Sequence, residues 1–400
     1  MRILIKIVIG YFLLTEILFG QDVKWNFEDP YRDDLLYVHP LINYDYNPLW
    51  QNEWEQSRIR NNGLRINVGS VTTYDLSGEG KLFINQDLSN GWGFLSYGNW
   101  IAARHLNNEE KYLFLGLQRH IYKPISIFLT FHPAYDKEFI DAHLGITLSN
   151  KKNDQYVRIG LLFEDFLYDE KNSLDGTSEQ YPYGLQWILR FGNKKWWIFS
   201  EGRLSTGFER IFPDKELSPS LDYHQQQINR VTTKLYHSFS QKWLMELRFS
   251  HYQFEEIKRF ISNNDDYAYK NEISDFSFQF LYSMNKSHRF RALTHFLNQD
   301  ANSTGYSEHS YERNDIMPAL FYEFLISRHV VELGIMGSRY DWQYKGTVEN
   351  PDYSEKKFVE KLKLGWSYKF NEKAKFQFSV SHVFSVFGFG GGNFQYMMFF

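Results

Sequence analysis

From Gly63 onward, hydrophobic and polar residues alternate along the chain in stretches of about ten residues. In 361–370, for example, Leu362, Leu364 and Trp366 fall on one face, opposite Lys361 and Lys363. A period of two residues is typical of a β-strand with one apolar face. The same pattern recurs in 156–164 and 275–284, so the sequence predicts an all-β protein.

Short connections and longer polar connections alternate between these stretches. The predicted short ones are 89–91, 122–124, 150–154, 192–195, 240–242, 285–287, 327–328 and 371–373. The predicted long ones include 168–180, 208–225, 255–269, 299–310 and 341–355, and the glycine-rich 388–392 is expected to be the last of them. Eight short turns, with both chain ends at the same side, predict about 18 strands, to within about two.

A single transmembrane, antiparallel, up-and-down β-barrel over 63–400 explains this pattern. An aromatic fraction of 19% with a mean hydropathy of -0.49 suits a barrel, in which every second strand residue faces lipid and the others face a polar interior. A soluble β-sheet protein is the alternative, although it does not require such alternation of turn lengths. A lower aromatic girdle beside the short turns is predicted from Trp92, Trp196, Trp197, Trp243, Phe290 and Phe370.

Residues 1–20 have the features of a secretory signal peptide. Arg2 and Lys6 precede an apolar stretch over 7–19, which is too short to span a bilayer as a helix. Cleavage is expected near Gln21, and an uncleaved anchor is the alternative. The absence of cysteine suits an exported chain and excludes thiolate metal sites and cysteine nucleophiles.

Residues 21–62 differ in texture from the rest of the chain. Forty-two residues are too few for an independent core, so this segment is expected to enter the barrel as a plug or to lie across its periplasmic mouth. A helix is predicted over 49–60, with Trp50 and Trp54, four residues apart, as its anchor.

The polar faces of the strands carry charges of both signs. The candidates for lining a pore are Arg158, Arg190, Glu201, Arg203, Arg230, Lys234, Glu246, Arg248, Arg291, Lys361 and Lys363. A salt-bridged, hydrated wall is one interpretation, and a functional constriction is the other.

Little in the sequence indicates catalysis, a cofactor or a metal. His143, His295 and His382 lie in predicted strands, with Asp141 on the face of His143, but no hydrolase or metalloprotease motif is present. The acidic run 263–266 lacks the ligand spacing of a calcium loop. A net charge of -4 without a basic stripe gives no indication of nucleic-acid binding.

The last strand carries the resemblance to a known class. Phe394, Tyr396, Met398 and Phe400 alternate with other residues up to an aromatic carboxy-terminus, which resembles the terminal signal read by the barrel-assembly machinery. With its turn pattern, 63–400 resembles bacterial outer-membrane β-barrels, and its strand count is similar to substrate-specific porins and to the capsule-assembly Wzi proteins. The resemblance implies an outer-membrane location, with outer-membrane lipid and lipopolysaccharide as partners.

Three functions follow as expectations. The first is a porin-like channel for passive diffusion of small polar solutes. The second is a plugged barrel with a structural, surface-assembly or secretion-associated role. The third, a minor one, is a lipid-modifying enzyme of the outer membrane.

Overall fold

In a computed structural model, the chain forms one antiparallel sheet that closes on itself. The structure describes residues 48–57, 62–70, 76–103, 110–122, 124–133, 140–150, 155–163, 177–180, 183–211, 221–260, 266–305, 308–346, 352–384 and 388–400. The predicted signal peptide, the rest of the segment before Pro48 and residues 263–265 of the acidic run therefore lie outside the described residues. Asp266, the last residue of that run, is described and begins a strand.

The described residues form one helix and twenty strand segments. The helix α1 spans Pro48–Ser57. The strands are β1 Gly63–Ser70, β2 Leu76–Asp87, β3 Trp92–Ala103, β4 Glu110–Tyr122, β5 Ile125–Pro133, β6 Ile140–Ser149, β7 Tyr156–Phe163, β8 Thr177–Gln180, β9 Tyr183–Gly192, β10 Trp196–Ser205, β11 Phe208–Ile211, β12 Leu221–Ser238, β13 Trp243–Phe260, β14 Asp266–Ser283, β15 His288–Thr304, β16 His309–Ile326, β17 His329–Lys345, β18 Tyr353–Lys369, β19 Ala374–Val383 and β20 Gly388–Phe399.

Two wall strands are each divided into two segments: β8 and β9 form one of them, and β10 and β11 form the other. β8 pairs with β11, just as β9 pairs with β10, and both β10 and β11 pair with β12. At the break between β10 and β11, Gly207 has φ +80°, a conformation that glycine adopts without strain. The wall therefore has eighteen strands, which confirms the predicted fold class and strand number.

The barrel closes between its first and last strands. β1 pairs antiparallel with β20, from Gly63 opposite Phe399 to Ser70 opposite Gly392. The Phe400 backbone N–H also donates to the Asn62 carbonyl oxygen at 2.9 Å. Closure leaves no unpaired edge, as a bilayer requires of a spanning sheet.

The outer face of the wall is apolar. Leu117, Leu129, Leu144 and Leu161 are exposed register partners on successive strands β4 to β7. On the other side of the barrel, Phe249, Phe276, Phe296 and Ile316 form the same kind of row across β13 to β16. Such a belt is stable when lipid covers it, and the predicted faces of β7, β14 and β18 are confirmed.

All eight predicted short connections join consecutive strands at one end of the barrel, here called the short-turn end. In the first of them, Asn90 and Gly91 both have positive φ, at 59° and 74°. Asn-Gly is favoured in tight hairpins for this reason.

The extent of the long loops is where the sequence prediction is wrong. Strands β12 to β18 run for 17 or 18 residues, so they include much of the predicted loops 255–269, 299–310 and 341–355. The glycine-rich 388–392 is also part of β20 and pairs with β19. A polar composition shows that a segment contacts water. It does not exclude a strand, because the hydrogen bonds between strands use only backbone groups. Hydrophilic residues beyond the apolar belt, on the side away from the short turns, therefore remain in strands.

In the described part of the chain, no helix is both long enough and apolar enough to cross a membrane.

Candidate functional site

All eleven predicted pore-lining residues lie on wall strands with their side chains on the interior face. Eight are buried: Arg158, Arg190, Lys234, Glu246, Arg248, Arg291, Lys361 and Lys363. The other three, Glu201, Arg203 and Arg230, are half-buried. That they line a conducting path stays a prediction, because many of these side chains are engaged with one another or with α1.

Helix α1 lies inside the barrel at the short-turn end. The Trp54 side chain is 2% exposed, and its ring stacks on Phe399 of β20 with centroids 5.9 Å apart. A Cβ atom on Gly63 would lie 3.0 Å from the Trp54 ring, so this glycine gives the indole its space. Trp54, a predicted anchor, thus packs on the seam where the barrel closes, whereas the Trp50 side chain lies outside the described residues.

Glu55 connects α1 to the opposite wall. Its carboxylate is fully buried and accepts a hydrogen bond from Lys234 Nζ at 2.7 Å, with Lys234 only 4% exposed. The Tyr236 hydroxyl donates to the same carboxylate oxygen at 3.4 Å. The Tyr156 hydroxyl donates to the Glu55 backbone oxygen at 2.8 Å. Strands β7 and β12 therefore hold the helix through one residue.

Two further polar contacts secure the helix at its sides. Lys375 of β19 donates to the Glu53 carboxylate, and Arg190 of β9 donates to the Asn52 side-chain oxygen at 3.4 Å. Together with Glu55 and Trp54, these contacts join α1 to five strands around the ring. The helix therefore lies inside the barrel wall, and the role of the whole segment 21–62 as a plug stays a prediction.

One ion pair crosses the interior directly. Lys81 Nζ of β2 lies 3.3 Å from Glu201 Oε1 of β10 and 2.8 Å from Glu79 Oε1 on its own strand. Six wall strands separate β2 from β10 along the shorter path round the ring. Because the side chains of nearly opposite strands meet, the barrel is narrow at this level.

A second ionic network covers the wall over β15 to β18. Glu332 accepts a hydrogen bond from Arg291 at 2.7 Å and forms an ion pair with Lys363, whose Nζ lies 3.0 Å from Glu332 Oε1. Glu323 forms an ion pair with Arg289 at 3.0 Å, and the Arg291 guanidinium lies 3.9 Å from the centroid of the Phe321 ring. Opposite charges on neighbouring strands are therefore paired in this part of the wall.

The buried interior carries more positive than negative charge. Among the described residues, ten buried basic side chains face six buried acidic ones. The basic residues are Arg65, Arg158, Arg190, Lys234, Arg248, Arg291, Arg313, Lys361, Lys363 and Lys375, and the acidic ones are Glu55, Glu246, Asp275, Asp315, Glu323 and Glu332. The whole chain has a net charge of -4, so the interior and the rest of the protein differ in sign.

The histidines occupy different faces of the wall. His143 is buried in the interior with its Nδ1 bonded to the Tyr97 hydroxyl, and His295 is buried beside Asp275 at 3.1 Å. His382 lies on the outer face of β19, because it alternates with the buried interior residues of that strand, and its ring packs on Phe384. The Asp141 side chain lies outside the described residues.

The prediction that Trp197 belongs to the lower aromatic girdle is wrong. The Trp197 side chain is buried in the interior and stacks on Tyr236 with centroids 5.0 Å apart, whereas Trp92 and Trp243 are exposed beside the short turns. Consecutive strand residues point to opposite faces, so Trp196 and Trp197 cannot both belong to one girdle.

Glu55, Lys81 and Lys375 are contact residues that the sequence reasoning missed. An acidic residue beside a predicted anchor tryptophan was visible in the sequence. Its partner Lys234 lies 179 positions away, and no local pattern relates the two.

A closed antiparallel ring with an apolar outer face, short turns at one end and a charged interior defines a transmembrane β-barrel of the outer-membrane type. No protein-family model matches the chain, and no curated protein sequence does either.

Solved structures that resemble the chain are outer-membrane barrels. A bacterial polysaccharide outer membrane secretin has 11% identity and a TM-score of 0.40, over 85% of this chain and 98% of that chain. OccK8 (OprE) of Pseudomonas aeruginosa has 9% identity and a TM-score of 0.36, over 86% and 98%. A porin has 10% identity and a TM-score of 0.33, over 85% and 99%. The strand count and the closure rest on the geometry of the chain itself.

Proposed function

We propose that the protein is an outer-membrane barrel that acts as a narrow channel for small polar solutes, closed at rest by helix α1. Residues 1–20 would direct its export, and outer-membrane lipid and lipopolysaccharide would surround its apolar belt. The observation that carries the proposal is the buried Glu55–Lys234 ion pair, which fixes α1 inside the barrel.

An ionic attachment suits a plug that must release. A buried ion pair contributes little net stability compared with apolar packing of the same volume. Loss of one partner, however, strongly destabilises the closed state, because the other charge is left buried without a partner. On release, both charges regain water, so the separated state is not heavily penalised. A plug held only by apolar contacts would instead expose apolar surface to water on release, so its separated state would be penalised.

The excess of buried basic side chains supports a preference for anions. Fixed charge of one sign along a narrow, low-dielectric path raises the local concentration of the opposite ion. Six acidic residues offset part of the ten positive charges, so a moderate preference is expected rather than strict exclusion of cations.

A permanently plugged barrel with a structural or surface-assembly role is the second candidate. The Lys81–Glu201 ion pair favours it, because this contact narrows the interior independently of α1. Release of the helix alone would then leave the path closed.

Conductance of the full chain in a planar bilayer separates the two functions. The channel predicts infrequent openings for the wild type, frequent openings for Glu55→Gln, and a reversal potential in a KCl gradient that is displaced toward that of chloride. Folding is checked first by a heat-dependent shift in gel mobility. A folded barrel that stays electrically silent in both forms would overturn the channel and leave the plugged barrel.

A further inference from the structure

We propose that the short-turn end carries a docking surface for anionic phospholipid headgroups. This surface, here called the basic ring, consists of the exposed basic residues in the five turns that connect β9 to β10, β12 to β13, β14 to β15, β16 to β17 and β18 to β19. Its members are Lys194, Lys195, Lys242, Lys286, Arg328 and Lys373. Such a surface is separate from the proposed channel and would function whether or not the interior conducts.

The lysine charges of the basic ring are not neutralised within the described part of the protein. No lysine Nζ atom of the ring has a hydrogen-bond or ion-pair partner among the described residues. Arg328 donates one hydrogen bond, to the Phe370 carbonyl oxygen at 3.0 Å. Glu372, the one acidic residue in the described parts of these five turns, already pairs with Lys369 at 2.7 Å. An anionic partner can therefore meet the lysines without breaking an internal contact.

Three of the turns hold a lysine at the same position with the same backbone hydrogen bonds. The lysine N–H donates to the side-chain oxygen of the residue two positions before it. These pairs are Lys195 with Asn193 at 2.8 Å, Lys242 with Ser240 at 3.2 Å and Lys373 with Asn371 at 2.7 Å. The carbonyl oxygen of each lysine accepts from an N–H of the neighbouring strand, at 2.6, 2.8 and 2.7 Å. Because both backbone groups are bonded, binding of a ligand would have to order only the lysine side chains, which lowers its entropic cost.

Exposed aromatic side chains place the basic ring at the depth of lipid headgroups. Trp243 directly follows Lys242, and Phe370 lies in the turn that contains Lys373; both aromatic side chains are exposed. Phe370 also packs on Tyr368 of the outer face, with ring centroids 5.0 Å apart. Aromatic residues collect at the membrane–water interface, and lysine stems extend past them to reach the polar layer. The neighbouring partner for these lysines is therefore the phosphate layer of the bilayer.

The spacing of the turns suits a row of headgroups. Adjacent turns of the basic ring are two wall strands apart, which corresponds to about 10 Å. This is close to the Debye length of ~10 Å at an ionic strength of about 0.1 M, so the fields of neighbouring turns overlap. A phospholipid with a net negative headgroup, such as phosphatidylglycerol, is attracted by this field. A zwitterionic headgroup carries its own cation, which the lysines repel.

The lipid that stays bound to the full chain tests the basic ring. The folded protein is reconstituted in vesicles with equal amounts of phosphatidylcholine and phosphatidylglycerol and extracted in a mild nonionic detergent, and its bound lipid is quantified by mass spectrometry. We expect the ratio of phosphatidylglycerol to phosphatidylcholine to exceed that of the vesicle by about twofold to fivefold, the upper value being the factor that ~1 kcal/mol per lysine represents. In the ring variant, Lys195→Gln/Lys242→Gln/Lys373→Gln, the ratio should return to that of the vesicle.

The matched control is Lys270→Gln/Lys345→Gln/Lys356→Gln, which removes the same charge at the ends of β14, β17 and β18 that lie away from the short turns. It should keep the wild-type ratio. A form of the ring variant with arginine at its three positions retains the charge and should also keep this ratio. Folding of each variant is checked by the heat-dependent shift in gel mobility.

Several results would overturn the docking surface. One is a wild-type ratio equal to that of the vesicle, and another is an equal loss of enrichment in the ring variant and the control. If the ring variant does not fold, a wild-type ratio that is unchanged at about 1 M salt, where the Debye length is only ~3 Å, overturns it. An unchanged lipid ratio in the ring variant, together with lost sedimentation on isolated cell-wall sacculi, would instead assign the basic ring to an anionic wall polymer.

Discussion

Neutralising Glu55 should release the plug. In Glu55→Gln, Lys234 keeps its position in the closed state but loses the carboxylate 2.7 Å away, in surroundings where it is only 4% exposed. Removing one partner of a buried ion pair costs roughly 3–5 kcal/mol. Since each 1.4 kcal/mol is about a factor of ten, the ratio of closed to open barrels should fall by roughly a hundredfold to a few thousandfold.

Cysteine accessibility measures this shift without relying on conductance. The chain contains no cysteine, so Thr232→Cys, at a position that lines an interior cavity above α1, introduces a single thiol. A small charged thiol reagent added from the short-turn side reaches it only when the helix has moved. Its reaction should be slow in the otherwise wild-type barrel and faster when Glu55→Gln is added. The rate follows the open fraction, so from a parent that is about 1% open it can rise by up to about a hundredfold.

Two further variants make the test specific. Glu53→Gln removes a carboxylate that is 38% exposed, whereas that of Glu55 is fully buried. Because water already solvates the Glu53 carboxylate, its pair with the buried Lys375 should be worth less than the Glu55–Lys234 pair, and labelling should accelerate less than in Glu55→Gln. The double variant Glu55→Leu/Lys234→Leu should close the barrel again, because replacing both partners of a buried pair by apolar residues is close to neutral. Labelling of Glu55→Gln within about twofold of the parent rate, well inside the tenfold that 1.4 kcal/mol represents, would refute the assigned role of Glu55.

Three further substitutions test the fold itself. Phe399→Ala removes the ring that packs on Trp54 and should lower the stability of the folded barrel by about 3–5 kcal/mol in urea titrations; unchanged stability would mean that the helix contributes nothing at the seam. Phe276→Arg places a charge on the outer face and should cost about 2–4 kcal/mol of membrane-inserted stability, whereas Asn302→Arg, higher on the neighbouring strand, should cost little; equal effects would contradict the position of the belt. Gly207→Ala adds a Cβ atom 2.5 Å from the Gln226 carbonyl oxygen at φ +80° and should lower the temperature at which the folded gel band is lost; a wild-type temperature would show that the break between β10 and β11 is not constrained there.

Strand number and strand faces were predictable because the information is local. A turn needs a few residues of the right kind, and a lipid-facing strand shows its period of two within ten residues. Asn90 and Gly91 illustrate the first, and the alternation of Leu362 and Leu364 with Lys361 and Lys363 illustrates the second. The ends of the long strands were not predictable, since polar residues above the belt belong equally well to a loop or to a ladder.

The sequence by itself determined that this chain builds an eighteen-stranded barrel with an apolar outside and a charged inside, because alternation and turn chemistry act between neighbours along the chain. Only the tertiary structure decided what fills the interior. The Glu55–Lys234 and Lys81–Glu201 pairs join residues 179 and 120 positions apart, and they form because ring closure brings distant strands and α1 together. A buried charge finds its partner in space, and the order of residues does not record which one it will be.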